Sequence, residues 1–291
     1  MKMTDTKIGA TLGEHQAACV VLLDELDRVC KALGIPYILF AGTLLGAVRH
    51  KGFIPWDDDL DVLMLRRDYD RFLAEAESVL DRETFYLQKE FSEHWPMFFS
   101  KLRLNNTACL ETYHAKDEKE HHGVYIDIFP CDNAADNSIG RKIQFYASKV
   151  VIAKALDKRG YETDSKRKKA FMAVCKLLPM TPFLKLVRGK KGDGRYLHSF
   201  LGSASSFSKN VYPRKALTPC VKAVFEGKEY PISQNYDELL HIIYGDYMTL
   251  PPPEERVCKK HAILVDLHRS YEEYSDYHKN MVFEMTTKSI R

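Results

Sequence analysis

Residues 42 to 61 constrain the fold of this chain more than any other stretch, because glycines, cations and four aspartates lie there between two apolar segments. The first apolar segment predicts a strand that ends at a glycine turn around Gly42, and Leu60–Leu65 predicts the next strand. Side chains alternate across a strand, so Asp59 and Asp61 would share one face while the leucine between them packs behind. The pattern predicts two strands, joined by a basic loop, that present paired carboxylates beside a glycine turn.

Paired carboxylates of this kind predict a metal site. Two such groups about 5 Å apart repel by roughly 3 kcal/mol at an effective dielectric constant of about 20, and a bound cation removes this cost. Oxygen-only ligands favour Mg²⁺ or Mn²⁺, which keep several waters and take further ligands from a phosphorylated substrate. A solvated acidic turn is the open alternative for residues 57–61.

Asp127 is the best candidate for a third carboxylate. It is the single acid in residues 123–130, which predict a strand that is apolar on both faces. A carboxylate in such a strand costs several kcal/mol unless it is paired or binds a metal. A salt-bridged core aspartate is the alternative interpretation of the same residue.

The motifs of this chain carry a family resemblance. Residues 42–72, with Gly-Thr-Leu-Leu-Gly-Ala-Val-Arg-His and Phe-Ile-Pro-Trp-Asp-Asp-Asp-Leu-Asp, closely resemble the LicD-type phosphotransferases. Residues 101–107, 123–130 and 244–248 resemble further family segments in the same order. Members of the family transfer phosphocholine or a similar phospho-alcohol from a CDP-linked donor to a sugar of a cell-surface glycan, such as teichoic acid or lipopolysaccharide.

The resemblance implies both a fold and a set of site residues. The fold would be α+β, a nucleotidyltransferase-like mixed sheet flanked by helices, with a helical insertion and a C-terminal region on the acceptor side. The catalytic residues and metal ligands, with Mg²⁺ or Mn²⁺ as the cofactor, would be Asp59, Asp61 and Asp127. The donor-phosphate or nucleotide contacts would be Gly42, Thr43, Arg49, His50, Lys101 and Arg103. The substrate contacts would be Trp56, Asp57, Tyr244, Asp246 and His261.

Position and charge bear on several of these assignments. The cations after the glycine turn precede the carboxylates, where a donor diphosphate needs positive charge, and Lys101 and Arg103 alternate on one predicted strand face. Trp56 suits stacking on a base or on a quaternary ammonium, and it equally suits a core anchor for the loop. A helix end followed by a proline stop explains residues 244–253 without any substrate, so the function of that segment rests on the resemblance.

The chain divides into three predicted parts. Residues 1–135 form the nucleotidyltransferase-like core, residues 136–215 a helical basic insertion, and residues 216–291 a hairpin and helices that complete the catalytic domain. Apolar periodicity predicts helices over 15–33, 66–80, 138–156 and 235–243, strands over 85–90 and 97–104, and a hairpin over 221–232.

Composition is that of an ordinary enzyme. The chain has 291 residues, 45% of them apolar, and can bury a substantial core. A net charge of +3 is too small to indicate a nucleic-acid partner. Seven cysteines without a Cys-x-x-Cys pair predict a reduced protein of the cytoplasm. Neither a signal peptide nor an apolar stretch of about 18 residues is visible in the sequence.

Residues 158–191 concentrate lysine and arginine against few acids, with apolar residues interspersed. Such a segment can lie on an anionic membrane surface, where each cation contributes about 1 kcal/mol. This interpretation predicts peripheral contact with the inner face of the membrane and access to a lipid-linked glycan acceptor. A solvated helix face is the alternative.

The predicted reaction is in-line attack of a sugar hydroxyl on the donor phosphate nearer the transferred alcohol, with release of CMP. Mg²⁺ held by Asp59 and Asp61 would bridge the diphosphate, and Asp127 would accept the hydroxyl proton. Two alternatives stay open: a nucleotidylyltransferase that modifies a small hydroxyl substrate, and a non-enzymatic metal-dependent glycan-binding module.

Overall fold

The computed structural model describes residues 9–111, 119–190, 192–201, 206–258, 262–274 and 276. The helices are α1 (Leu12–Leu33), α2 (Ala41–Arg49), α3 (Arg66–Glu75), α4 (Ser138–Arg159), α5 (Lys166–Leu177), α6 (Met180–Arg188) and α7 (Tyr236–Tyr244). The strands are β1 (Ile38–Leu39), β2 (Asp61–Leu65), β3 (Phe85–Gln88), β4 (Ser100–Leu104), β5 (Ala108–Glu111), β6 (Tyr125–Ala134), β7 (Tyr196–His198), β8 (Val211–Pro213), β9 (Cys220–Phe225), β10 (Lys228–Ser233) and β11 (Ala262–Asp266).

A mixed sheet forms the centre of the fold. Its strand order is β1-β2-β6-β4-β3, and β7 and β8 extend it from the carboxyl end of β6. The strands β2 and β6 are parallel, with Asp61 opposite Asp127 and Leu65 opposite Cys131, whereas β1 and β4 run antiparallel to their neighbours. The predicted α+β class, a mixed sheet flanked by helices, is confirmed. Parallel pairing of β2 with β6 is what brings the two predicted acids side by side.

Most predicted helices are confirmed, with small shifts in their ends. The first begins at a capping box formed by Thr11 and Glu14, and it ends at Gly34, whose φ of 62° suits a residue without a side chain. The second stops at Glu75, where a single 3₁₀ turn follows, and the predicted hairpin turns at residues 226–227. The predicted strand over residues 97–104 begins only at residue 100.

The predicted glycine turn at Gly42 is wrong, because this residue lies in the first turn of α2. Ala41 takes a φ of 45° directly after β1 and begins the helix there. Leu44 and Ala47 are fully buried, so tertiary packing of an apolar helix face overrides the turn propensity of the glycines. The predicted basic loop therefore begins later, and Arg49 is the last residue of the helix.

The C-terminal hairpin holds the loop that leads to the aspartates. The Glu226 carboxylate accepts a hydrogen bond from the backbone N–H of Phe53 at 2.9 Å, and its own N–H donates to the carbonyl of Lys51 at 3.0 Å. A side chain at Gly52 would collide with this carboxylate, and one at Gly46 would collide with the carbonyl of Gly52. These close approaches explain both glycines, and they attach residues far along the chain to the catalytic core.

The basic insertion packs against the core in a small second cluster. The helix α4 contacts both α5 and α6, and Val151, Ala155 and Val187 form a buried cluster with Trp95 of the preceding part. The segment also supplies β7 and β8, so it is not purely helical. No single helix in the described residues is both long and apolar enough to cross a membrane. The pair α5 and α6 meets that criterion only together, by length and composition, and it is bent by 101°.

Candidate active site

The predicted acids meet at the amino-terminal ends of β2 and β6. Asp61 is the first residue of β2, and its parallel neighbour on β6 is Asp127. Burial alternates before the strand: Asp57 and Asp59 are partly exposed, whereas Asp58 is buried. This alternation agrees with the predicted sidedness, although Asp59 lies outside the regular strand. We call Asp57, Asp59, Asp61 and Asp127 the aspartate cluster.

The aspartate cluster carries negative charge that the protein only partly compensates. Burial, followed by the charges of Asp59, Asp127 and Asp57, raises the pKa of Asp61 well above its ordinary value. Burial also raises the pKa of Asp127, and the Lys101 ammonium opposes that shift. The carboxylates of the aspartate cluster therefore repel one another.

The first turn of α2 positions these acids. The hydroxyl of Thr43, a residue that is only 3% exposed, accepts a hydrogen bond of 2.8 Å from the backbone N–H of Asp61. A Cβ at Gly42 would lie 2.8 Å from a carboxylate oxygen of Asp57, so a glycine there allows that carboxylate to approach the start of the helix. Phe40 at the N-cap gives no side-chain hydrogen bond. The first turn of α2 thus lies beside the Asp57 carboxylate, and the N–H groups of a first turn favour an anion.

Lys101 joins the aspartate cluster, whereas Arg103 does not. The ammonium of Lys101 lies 3.0 Å from Oδ1 of Asp127 and 3.1 Å from the centroid of the Tyr125 ring. This ion pair lacks hydrogen-bond geometry, so the buried Asp127 Oδ1 has no hydrogen-bond partner. Arg103 is completely buried and donates to the Gln88 side chain at 2.6 Å. The structure therefore places Arg103 in the interior, away from the aspartate cluster, and its contact with a donor phosphate stays a prediction.

A second acidic group lies beyond Lys101. This group consists of Glu111, Glu120 and His122. Among the residues that the structure describes, their ligand atoms lie within 4.8 Å of one another, which is close enough to hold a metal ion. Arg159 already pairs with both carboxylates, at 2.5 Å to Glu111 and 2.6 Å to Glu120. Burial would raise the pKa of Glu111, but Arg159 and Lys101 more than offset it and hold that pKa below its ordinary value. A cation could bind here only by displacing Arg159.

Sequence reasoning did not single out this glutamate group. Arg159 was only one cation among many in the basic segment, and no local pattern pairs it with Glu111. The available signal was the position of Glu120, immediately before a buried strand. A charged residue next to a core strand needs a partner, but the sequence does not say which.

The remaining residues predicted to contact the donor or the substrate divide between the surroundings of the aspartate cluster and the surface. The Arg49 guanidinium donates to the carbonyl of Tyr247 at 2.7 Å, which links the end of α2 to the C-terminal region. His50 lies edge-on to Trp56 with ring centroids 6.3 Å apart, and burial followed by the charge of Arg49 lowers the pKa of His50. Trp56 packs partly buried against the main core, as the anchor interpretation requires. These side chains border the loop that leads to the aspartate cluster.

Tyr244 lies near the aspartate cluster, but Asp246 does not. Burial, followed by the charges of three members of the aspartate cluster, raises the pKa of Tyr244, although 40% of that residue is exposed. Asp246 is exposed and accepts a hydrogen bond of 2.6 Å from Thr249, so it closes a local turn. His261 lies outside the described residues.

The donor set of the aspartate cluster fits a hard divalent cation. All its donors are carboxylate oxygens, and the charges of the other three members raise the pKa of Asp61. One buried oxygen of Asp127 lacks a hydrogen bond, although the Lys101 ammonium lies 3.0 Å from it. Oxygen-only donors are those that Mg²⁺ and Mn²⁺ prefer. Asp59, Asp61 and Asp127 are the residues that would hold the ion.

A short strand and a helix precede paired acids on neighbouring parallel strands of a mixed sheet. Residues 34–159 match the family described as LicD/FKTN/FKRP, nucleotidyltransferase domain. This part of the chain is therefore similar to the LicD-type nucleotidyltransferase domain.

Two relatives extend this finding. The chain is 29% identical over 280 residues to the lipopolysaccharide cholinephosphotransferase LicD of Haemophilus influenzae, an alignment that covers 87% of this chain and 96% of the relative. It is 42% identical over 79 residues to the human ribitol 5-phosphate transferase FKRP, covering 24% of this chain and 16% of that protein. By their names, both relatives transfer a phosphorylated alcohol.

Proposed function

We propose that this protein transfers phosphocholine, or a similar phospho-alcohol, from a CDP-linked donor to a sugar hydroxyl of a cell-surface glycan precursor and releases CMP. The observation that carries the proposal is the aspartate cluster, in which Asp61 and Asp127 lie side by side with negative charge that the protein compensates only in part. The name and the near-complete coverage of the Haemophilus influenzae relative support the choice of group and acceptor.

The chain's own residues supply positioning and charge. The donor diphosphate would lie at the start of α2, where N–H groups of the first turn receive phosphate oxygens and Arg49 adds positive charge. Asp59, Asp61 and Asp127 would hold Mg²⁺ or Mn²⁺, and the bound ion would neutralise charge on the diphosphate. Positioning and electrostatics account for most of the rate in phosphoryl transfer.

The reaction would balance as a single displacement. The sugar oxygen bonds to the phosphorus that carries the alcohol, the bond from that phosphorus to the bridging oxygen breaks, and CMP leaves with that oxygen. Asp127 would accept the hydroxyl proton, and Lys101 favours the carboxylate form that this step needs.

Product analysis tests the proposal. We expect the full chain with Mg²⁺ to release CMP from one of CDP-choline, CDP-ribitol or CDP-glycerol when a sugar acceptor is present. Mass spectrometry should find the phospho-alcohol on the acceptor, and Asp59→Asn is the inactive control. A nucleotide on the acceptor, with pyrophosphate released from a nucleoside triphosphate, would show nucleotidylyl transfer instead. Calcium binding without turnover of any of these donors would favour a non-enzymatic glycan-binding module.

We also propose that the basic insertion touches an anionic membrane. On α5 the exposed apolar residues Phe171, Val174 and Leu177 accompany a cluster of cations at residues 166–169. We expect the protein to sediment with anionic liposomes at low salt and to be released at roughly 0.5 M salt, because screening removes the attraction. Replacing the four cations with glutamine should weaken sedimentation. Turnover of a soluble acceptor should stay unchanged, and unaltered liposome binding would leave α5 as a solvated helix face.

A further inference from the structure

A large cavity lies at the other end of the same strands. Its volume is about 820 Å³, and it opens between the start of α3, the end of α6 and the carboxyl ends of β2 and β6. Leu65 and Cys131 line it, and they lie four residues beyond Asp61 and Asp127 in the same paired register. Because side chains alternate, the cavity opens on the face of the sheet that carries the aspartates, about 13 Å along the strands. We call it the basic cavity.

Cations outnumber acids in the lining of the basic cavity. The lining cations are Arg66, Arg67, Lys185, Arg188, Lys190 and Arg214, against three aspartates. Some of them are already engaged: Arg66 makes two contacts to the Asp132 carboxylate, at 2.7 and 3.1 Å, and Arg214 lies 3.3 Å from Asp193. The cations that are not paired in this way determine which ligand the cavity can bind.

Three donors in the basic cavity are not used by the protein. Lys185 and Lys190 make no ion pair with any carboxylate of the described residues. Arg188 donates through one terminal nitrogen to Glu90 at 2.8 Å, whereas its Nε is buried without a hydrogen-bond partner. Buried donors are normally satisfied, and the unsatisfied Nε belongs to a guanidinium whose side chain is 36% exposed and lines the cavity.

The wall that carries Lys190 is held in place by one side chain. The amide nitrogen of Asn133 donates to the carbonyls of Lys190 at 2.8 Å and Gly192 at 2.7 Å. Its oxygen accepts from the N–H of Gly194 at 3.1 Å and from Arg214 at 2.9 Å. All four hydrogen-bonding positions of this amide are used, so Asn133 holds Lys190, Gly192, Gly194 and Arg214 at the cavity wall.

We propose that the basic cavity binds a phosphate-bearing segment of the glycan acceptor through Lys185, Arg188 and Lys190. Its volume exceeds that of a phosphate group and leaves room for the attached sugar. Its position on the aspartate face would hold a second part of the acceptor while a hydroxyl reaches Asp127. The identity of the ligand as acceptor rests on the proposed function, whereas the binding of a phosphorylated sugar does not.

The binding test uses glucose 6-phosphate as the probe, with the full chain and without donor or metal. We expect calorimetry to show saturable binding, with glucose and inorganic phosphate each binding more weakly. The double variant Lys185→Gln/Lys190→Gln, whose side chains are exposed, should weaken binding of the probe at least about tenfold. The matched control Lys142→Gln/Lys209→Gln, also exposed but outside the lining of the basic cavity, should bind like the wild type.

Several results would overturn the proposal. Equal binding of glucose 6-phosphate by the double variant and the wild type would overturn it. Loss of binding in Asp61→Asn would also overturn it, because that result would assign the probe to the aspartate cluster. Inorganic phosphate that binds as tightly as glucose 6-phosphate would exclude a glycan ligand. A double variant that loses liposome binding but keeps the probe would assign these lysines to the membrane.

Turnover tests the acceptor part separately. With a phosphorylated acceptor the double variant should raise KM about tenfold at unchanged kcat, because the lysines bind the acceptor but do not touch the reacting atoms. With a phosphate-free acceptor both constants should match the wild type. An equal change of KM for both acceptors would contradict the assignment of the ligand as acceptor. If no donor is turned over at all, the proposed function fails, but the calorimetric test of phosphorylated-sugar binding is unaffected.

Discussion

Replacing Asp61 with asparagine should lower turnover at least about 100-fold, a loss typical of a broken metal site, while raising the thermal unfolding midpoint of the metal-free protein. The variant keeps the shape of the side chain and the hydrogen bond from its backbone N–H to Thr43. It removes the charge that burial and the neighbouring aspartates destabilise most. Release of CMP under saturating donor measures the first effect, and thermal unfolding with and without Mg²⁺ measures the second.

The control for this prediction lies three residues earlier. Asp59→Asn should lose activity like Asp61→Asn, whereas Asp58→Asn should lose far less, because Asp58 is buried on the other side of the segment. Adding Mg²⁺ or Mn²⁺ should raise the unfolding midpoint of the wild type and have little effect on Asp61→Asn. Equal losses for all three variants, or a wild type that does not respond to either ion, would contradict the assignment of Asp59 and Asp61 as metal ligands.

Arg159→Met should destabilise the protein by about 3–5 kcal/mol, the cost of removing one partner from a buried ion pair. Arg159 pairs with Glu111 and Glu120, and the side chain of Glu120 is completely buried. Methionine fills a similar volume but leaves both carboxylates without their cation. Urea unfolding at neutral pH measures the loss.

The pH dependence supplies an internal check on this prediction. In the wild type the pKa of Glu111 is held below its ordinary value, so its stabilising contribution is present above that value and is lost as the pH falls through the lowered pKa. Without Arg159, burial is opposed only by Lys101 and Arg103 and the pKa of Glu111 is higher than in the wild type, so the variant should recover stability relative to the wild type as the pH falls.

The neighbouring exposed residue gives the matched control for Arg159→Met. Lys158→Met should change the free energy of unfolding by less than about 0.5 kcal/mol, as for most surface substitutions. An Arg159→Met variant as stable as this control at pH 7 would show that the glutamates are solvated or protonated in the folded protein.

Local patterns in the sequence were enough to predict many of the helices and one hairpin. Apolar periodicity predicted α1, α3, α4 and α7, and the residues around the Glu226 turn predicted the β9–β10 hairpin, because these features depend on neighbours within a few positions. The same reasoning failed at Gly42, where glycines suggest a turn but packing of Leu44 and Ala47 imposes a helix. Propensity is a weak guide wherever burial decides.

The sequence by itself determined which residues form the aspartate cluster, since the alternation of Asp57, Asp59 and Asp61 and the isolated acid at Asp127 are local properties. Only the tertiary structure decided the partners of these charges. Lys101 and Arg103 occupy equivalent alternate positions on β4, yet one pairs with Asp127 and the other is buried against Gln88. The pairing of β4 with β6 selects between them, because it places Lys101 opposite Asp127 and Arg103 opposite Tyr125. Such contacts join residues far apart in the chain, and their energies depend on burial that no local pattern records.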